Sequence, residues 1–271
     1  MPIVSEIFYG TENFKLYVTQ PLIERFRQGP ADPASPVLFA IPHAGAGASV
    51  FFSWRACLPP TLELAAIRFP GRETYIDVAP STNFNTTVGL IVDAIRVWEP
   101  PRFAIFGQCS GALMAFEVTR ALRRAGDREP EHLFVASQRP PNEMQTAKEA
   151  YGSSVREMDD PEFFNYLSES EMIPVEIGYR SQIWEIIAPV MRADILAVED
   201  YKFIAEDPLT VPITVVLGNR DKWITTPVVE GWGSHTNDFG ICGVGAGHLL
   251  AIDADAEVTR CMLDRWPSAL R

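Results

Sequence analysis

Residues 106–113 read FGQCSGAL. The spacing Gly107-x-Cys109-x-Gly111 is that of a nucleophile elbow, in which a strand turns sharply into a helix and glycines two residues to either side leave room for the turn. With Ser110 at the centre, the flanking positions would be Gln108 and Ala112, and neither relieves that crowding. The frame selects the Cys109 thiol over the Ser110 hydroxyl as the attacking group.

Outward from the elbow, the pattern is that of a strand before and a helix after. RFAIF (102–106) is a short apolar run. GALMAFEVTRALRRA (111–125) has helical spacing, with Leu113, Phe116 and Ala121 able to face a sheet, Glu117, Arg120 and Arg124 on another side, and Gly126 as a stop. Similar apolar runs recur at 37–41 (VLFAI), 62–69 (LELAAIRF), 132–137 (HLFVAS), 213–218 (ITVVLG) and 238–242 (DFGIC), with further helical segments at 85–98 and 253–266. This alternation predicts a doubly wound α/β fold with a mostly parallel sheet flanked by helices, as one domain over residues 1–271. Residues 138–212 are too many for an ordinary connection. DPEFFNYL and IWEIIAPVMRADILAVEDYKF within them have helical patterns, with Pro189 able to kink or break the second. The stretch reads as an inserted helical lid over the carboxyl edge of the sheet, where open α/β sheets bind ligands.

A thiol in an elbow needs a base and an orienting acid, which follow it in the order acid, then histidine. His132, His235 and His248 lie after Cys109. His132 begins a strand and His235 lies in WGSHTND, whereas His248 follows the glycine-rich exit VGAGHLL and precedes a helix. The acid belongs just after the strand ITVVLG, where GNRDKW supplies Asp221. Asp207 comes before that strand and Asp238 too late. The expected triad is Cys109, Asp221 and His248. An oxyanion hole needs the N–H of the residue after the nucleophile, Ser110, and one from a loop after an early strand. IPHAGAGAS (41–49) provides such a loop, with Ala44 N–H as the candidate and His43 as a hydrogen-bonded structural side chain. As a phosphate cradle this loop lacks the Lys-Ser/Thr of a P-loop.

The charge balance, 23 Lys plus Arg against 35 Asp plus Glu for a net −12, argues against a nucleic-acid binder and against anionic membrane surfaces. No apolar run is long enough to span a bilayer. MPIVSEIFYGTENFK shows no basic segment followed by an apolar core, so a cytoplasmic location is expected. The cysteines at 57, 109, 242 and 261 have no metal-ligand spacing and are expected to stay reduced, Cys57, Cys242 and Cys261 as small buried hydrophobes. No metal or organic cofactor is expected, and a monomer is the default state.

The stretches IPHAGAGASVFFSW, FPGRETY, FGQCSGALMAFEVTRAL, FVASQRPP, MRADILAVEDYKF, VPITVVLGNRDKWIT and GAGHLL occur in order between about residues 37 and 265. On them the chain resembles a type II thioesterase, a stand-alone enzyme accompanying nonribosomal peptide and polyketide synthases. The resemblance implies an α/β-hydrolase fold and a substrate held as a thioester on the phosphopantetheine arm of an acyl or peptidyl carrier protein. It maps the triad onto Cys109, Asp221 and His248 and the oxyanion donors onto Ala44 and Ser110. Gln108, Cys109 and Ser110 stand where the family commonly has His, Ser and Met, and Lys222 where Pro is common. Arg68, Arg72, Arg180 and Arg192 are the candidates for a carrier-docking patch, and Phe163, Phe164, Ile183, Trp184 and Ile187 line either an acyl channel or the lid's core.

The cysteine has a chemical consequence. Attack by Ser on a thioester gives a stable oxoester, while attack by Cys gives a thioester of nearly equal energy, so the acyl group stays activated for transfer or cyclisation as well as hydrolysis. Two other functions compete: a same-fold cysteine hydrolase of free small esters or lactones, and a non-catalytic relative that binds a ligand under its lid.

Overall fold

Five strands are buried at every position, because each is an apolar run covered on both faces: β2 (Val37–Ile41), β3 (Glu63–Ile67), β4 (Phe103–Gln108), β5 (Leu133–Ala136) and β6 (Ile213–Gly218). With β1 (Ile23–Phe26) and β7 (Phe239–Val244) they form one seven-stranded sheet in the order β1-β3-β2-β4-β5-β6-β7. Every neighbouring pair is parallel except β1 with β3. The computed structural model describes residues 22–26 and 32–270; the N-terminal stretch MPIVSEIFYGTENFK lies outside them. Strand β1 is an addition to the six runs read from the sequence.

Side chains alternate between faces with a period of two. Phe39, Ile41, Ile105, Val135 and Val215 pack on one side against helices α1 (Phe84–Trp98) and α2 (Ser110–Ala125). Leu38, Ala40, Phe106, Phe134 and Val216 pack on the other, against residues 48–56 and helices α7 (Leu250–Asp253) and α8 (Asp255–Arg265). The helix expected over 253–266 is α8, and the extra turn α7 precedes it across a break at Ala254. On this second face Phe51, Trp54 and Phe106 stack edge to face, and the Trp54 indole donates to the Ala251 carbonyl. The chain is an α/β-hydrolase fold: a mostly parallel sheet flanked by helices.

Between β5 and β6 lie α3 (Ala147–Tyr151), α4 (Asp160–Glu169) and α5 (Gln182–Glu199). They hold a third apolar cluster, centred on Val155, Phe163, Leu167, Trp184 and Met191. Pro189 does not divide α5, because Trp184 before it and Met191 and Ile195 after it are held in that cluster. Phe163 and Trp184 are part of this core, Phe164 and Ile187 pack against it, and Ile183 is exposed.

Glu117 and Arg120 are buried on α2, because the segment after α5 covers that side; Arg120 pairs with Glu117 and Glu206. One expectation changes with the packing. Cys242 and Cys261 are joined as a disulfide instead of remaining free, since α8 lies against β7 with the two Cα atoms 6.4 Å apart. Cys57 and Cys109 are free. Among the described residues no helix is long and apolar enough to cross a membrane.

Candidate active site

The elbow follows β4 directly. Cys109 has φ 53°, a left-handed value that costs a non-glycine residue strain, and its N–H is held by the Ala136 carbonyl at 2.8 Å. Backbone atoms enforce the glycine frame. A Cβ on Gly107 would overlap the Gly111 carbonyl, and one on Gly111 would overlap the Ile41 and Pro42 carbonyl oxygens. Cys109 is the N-cap of α2, at the positive end of the helix dipole.

Asp221 lies three residues beyond β6 and His248 four beyond β7, so the carboxyl edge of the sheet brings them together. His248 Nδ1 and Asp221 Oδ2 are 2.8 Å apart, and Asp221 Oδ1 accepts from the Trp223 and Ile224 N–H groups at 2.9 and 3.0 Å. Burial raises the pKa of the Asp221 carboxyl, but His248 first and then these two N–H groups outweigh it and hold it below its ordinary value. Nε2 of His248 is buried and has no hydrogen-bond partner among the described residues, while Cys109 lies near enough to influence the ring. Burial opposes charge on this imidazole, yet Asp221 and then Cys109 push its pKa up to about 10.

Two side chains fix the His248 backbone. Gln108 donates to the His248 carbonyl at 2.8 Å and accepts from the Ala251 N–H at 3.0 Å, while Ser137 donates to the same carbonyl at 2.7 Å. In the sequence Gln108 stands out only as an unusual residue before Cys109. Ser137 was missed; it closes the strand run HLFVAS and, with φ 50°, offers no signal in the sequence.

The loop after β2 places buried Ala44 and Ser110 at the same edge, and among the described residues neither backbone N–H has a hydrogen-bond acceptor. Gly45 takes φ 79° with Met191 where a Cβ would sit, and Gly47 admits the Glu73 carboxylate, which accepts from the Ala48 and Ser49 N–H groups at 3.0 and 2.9 Å. His43 departs from expectation. Its Nδ1 is buried without a partner, and burial, then His248 and Arg72, lower its pKa to about 3, so the ring is neutral. From above, Tyr166 of α4 reaches the site: burial and then the Cys109 sulfur raise its hydroxyl's pKa.

The other histidines are engaged elsewhere. His132 meets the Thr214 hydroxyl at 2.8 Å and stacks on Phe134, and His235 meets Asn142 at 2.6 Å among Phe116, Phe203 and Trp232. Burial lowers both pKa values to about 4. Of the arginines considered for docking, Arg68 and Arg72 are buried and Arg192 donates to the Val155 and Met158 carbonyls, so these three are spent on internal contacts. Among the described residues no group of three or more His, Cys, Asp or Glu side chains is placed to hold a metal ion.

A family model described as a thioesterase domain matches residues 36–260. The gramicidin S biosynthesis protein GrsT of Aneurinibacillus migulanus is 30% identical over 226 residues, spanning 83% of this chain and 86% of that protein. Thioesterase PikA5 of Streptomyces venezuelae is 28% identical over 244 residues, spanning 89% and 84%. Among solved structures, the type II thioesterase BorB from the borrelidin biosynthetic cluster aligns with a TM-score of 0.79 at 25% identity, over 92% of this chain and 98% of that one.

Proposed function

The chain belongs to the thioesterase family, as a hydrolase acting on thioesters, and from that premise we propose that it releases acyl or peptidyl chains from a synthase carrier protein through Cys109, His248 and Asp221. The names of GrsT and PikA5 support the pathway class, and the observation that carries the chemistry is the strained Cys109 beside the Asp221–His248 pair.

In the first half-reaction Cys109 passes its S–H proton to His248 and its sulfur attacks the thioester carbonyl, while the Ala44 and Ser110 N–H groups receive the developing oxyanion. The bond from carbon to the pantetheine sulfur then breaks, His248 gives that sulfur a proton, and the acyl group remains on Cys109 as a new thioester. Asp221 keeps Nδ1 protonated and so aims Nε2 at the reaction. In the second half-reaction His248 takes a proton from the attacking water, and Cys109 leaves as the acid is released. An amine or hydroxyl in place of water gives an amide or ester, or a ring when the nucleophile belongs to the chain itself. Side chains and backbone suffice for these steps, with phosphopantetheine arriving on the substrate and the enzyme acting as a monomer. Residues 138–212 serve as the lid.

Intact mass after mixing with an acyl-pantetheine thioester tests the assignment in wild type, Cys109→Ala and Ser110→Ala. An acyl adduct is expected on wild type and Ser110→Ala and is absent from Cys109→Ala. Loss only in Ser110→Ala would move the nucleophile to the serine. Free acid as sole product with amine and hydroxyl acceptors present would remove the transfer branch, and turnover of free esters without any thioester turnover would favour the small-ester hydrolase.

A further inference from the structure

Behind the oxyanion loop lies a group of buried polar atoms that the proposed chemistry leaves unused. Asp194 projects from α5, the long helix of the lid segment, and Arg72 from the loop after β3. Their side chains are only 12% and 8% exposed and meet through two parallel hydrogen bonds, 2.6 and 2.8 Å. Asp194 Oδ2 also accepts the Gly45 N–H at 2.8 Å, and Arg72 donates to the Ala46 carbonyl at 3.0 Å and the Pro70 carbonyl at 3.2 Å.

These contacts bear on one atom. The Gly45 N–H belongs to the peptide that joins Ala44 to Gly45, so fixing it fixes the rotation of the backbone just after the Ala44 N–H. The Ala46 carbonyl held by Arg72 fixes the chain on the far side of Gly45. Gly45 itself is at φ 79°, open to few residues but glycine, and Met191 from the same lid helix fills the space above it. The Ala44 N–H is thus left without a partner while the lid helix and Arg72 clamp the residues that follow it.

A buried ion pair is weak evidence for stability, since desolvation offsets most of its attraction; removing one partner alone is costly because it leaves a charge stranded. What this pair supplies that an apolar contact would not is directional: a carboxylate aimed at one N–H and a guanidinium at one carbonyl. The geometry points to Asp194 and Arg72 as positioning residues that set the aim of the Ala44 N–H, so that seating of the lid helix and competence of the oxyanion hole are a single event. This inference rests on the reading of Ala44 as an oxyanion donor.

The test compares two reactions of Cys109. Acylation by an acyl-pantetheine thioester builds an oxyanion, whereas alkylation by iodoacetamide displaces iodide at a saturated carbon and builds none. Asp194→Asn keeps the shape of the side chain and loses the charge; Arg72→Gln and Arg72→Lys probe the other partner, and melting temperatures establish that each variant is folded. In Asp194→Asn and Arg72→Gln the acylation rate is expected to fall by roughly 10²-fold, the loss expected from a misplacement of about 1 Å, with kcat falling and KM little changed. Alkylation should keep the wild-type rate. The double variant should be no slower than the slower single one, as for two residues acting as a unit. Arg72→Lys, which retains the charge with one donor geometry lost, should fall between, and Arg156→Ala, which breaks an exposed ion pair with Asp200 on the same segment, should match wild type.

Unchanged acylation in Asp194→Asn and Arg72→Gln, or acylation and alkylation falling together, would overturn the positioning role. A wild type that gains no acyl group on Cys109 is a different failure: it removes the reading of the site and this inference with it.

Discussion

The carboxyl edge of the sheet and the helical segment above it are held by different means. At the edge, backbone meets backbone: Gly107 lies against Gly111, Gly111 against the Ile41 and Pro42 carbonyls, and Cys109 is hydrogen-bonded to Ala136 of the next strand. These contacts leave no room for alternatives, because the strands that supply them are the core. The segment between β5 and β6 has a small core of its own and is tied to the rest by side chains. Asp194 grips Arg72 and Gly45, and Lys222, beside Asp221, reaches Glu171. Cys109 is held by the fold itself, whereas the helical segment that covers it is held by a few separable polar contacts.

The largest expected effect lies at the edge. Gly111→Ala places a methyl group into two backbone carbonyls that cannot yield without moving β2, and should destabilise by about 3 kcal/mol or more, read as a large fall in the urea midpoint. A small change would show that the elbow can deform and would weaken the contrast.

Next in size is Asp221. Asp221→Asn should lower kcat by about 10⁴-fold while leaving the fold intact. It also carries a signature in pH. The folded pKa of His248 is raised to about 10, so the stability it contributes is fully present below its unfolded value of about 6.5 and is lost as pH rises toward about 10. Asp221→Asn removes the largest of the groups raising that pKa, so the loss should be smaller and end at lower pH. Melting temperature against pH in the two proteins, with the imidazole followed by NMR, decides the matter; identical pH profiles would mean that Asp221 does not hold the charge.

The smallest effect belongs to the cover. A Cβ on Gly178 meets nothing within 4 Å, so Gly178→Ala should change stability by no more than about 0.5 kcal/mol. A loss comparable with that of Gly111→Ala, measured in the same urea titration, would erase the difference between the two regions.

Much of the edge was legible in the sequence because its geometry is local. Two glycines around Cys109 specify a strained turn, and apolar runs buried on both faces specify parallel strands with few exceptions. The edge strand β1 escaped because IERF is short and mixed in polarity. The disulfide escaped because Cys242 and Cys261 are 19 residues apart with no spacing signature, and only the docking of α8 on β7 brings them near. FPGRETY and MRADILAVEDYKF were visible as family-like stretches, but nothing in either indicates that Arg72 and Asp194 face one another across 122 residues.

By itself the sequence determined the α/β alternation, the choice of Cys109 as the elbow residue and the order in which Asp221 and His248 follow it, since each depends on spacing along one strand, turn or helix. Tertiary structure alone decided that Gln108 and Ser137 grip the His248 backbone, that Arg72 turns inward instead of to solvent, and that α5 clamps the loop carrying the Ala44 N–H. Such contacts join residues distant in the chain, and their energies depend on burial and direction, which no local pattern encodes.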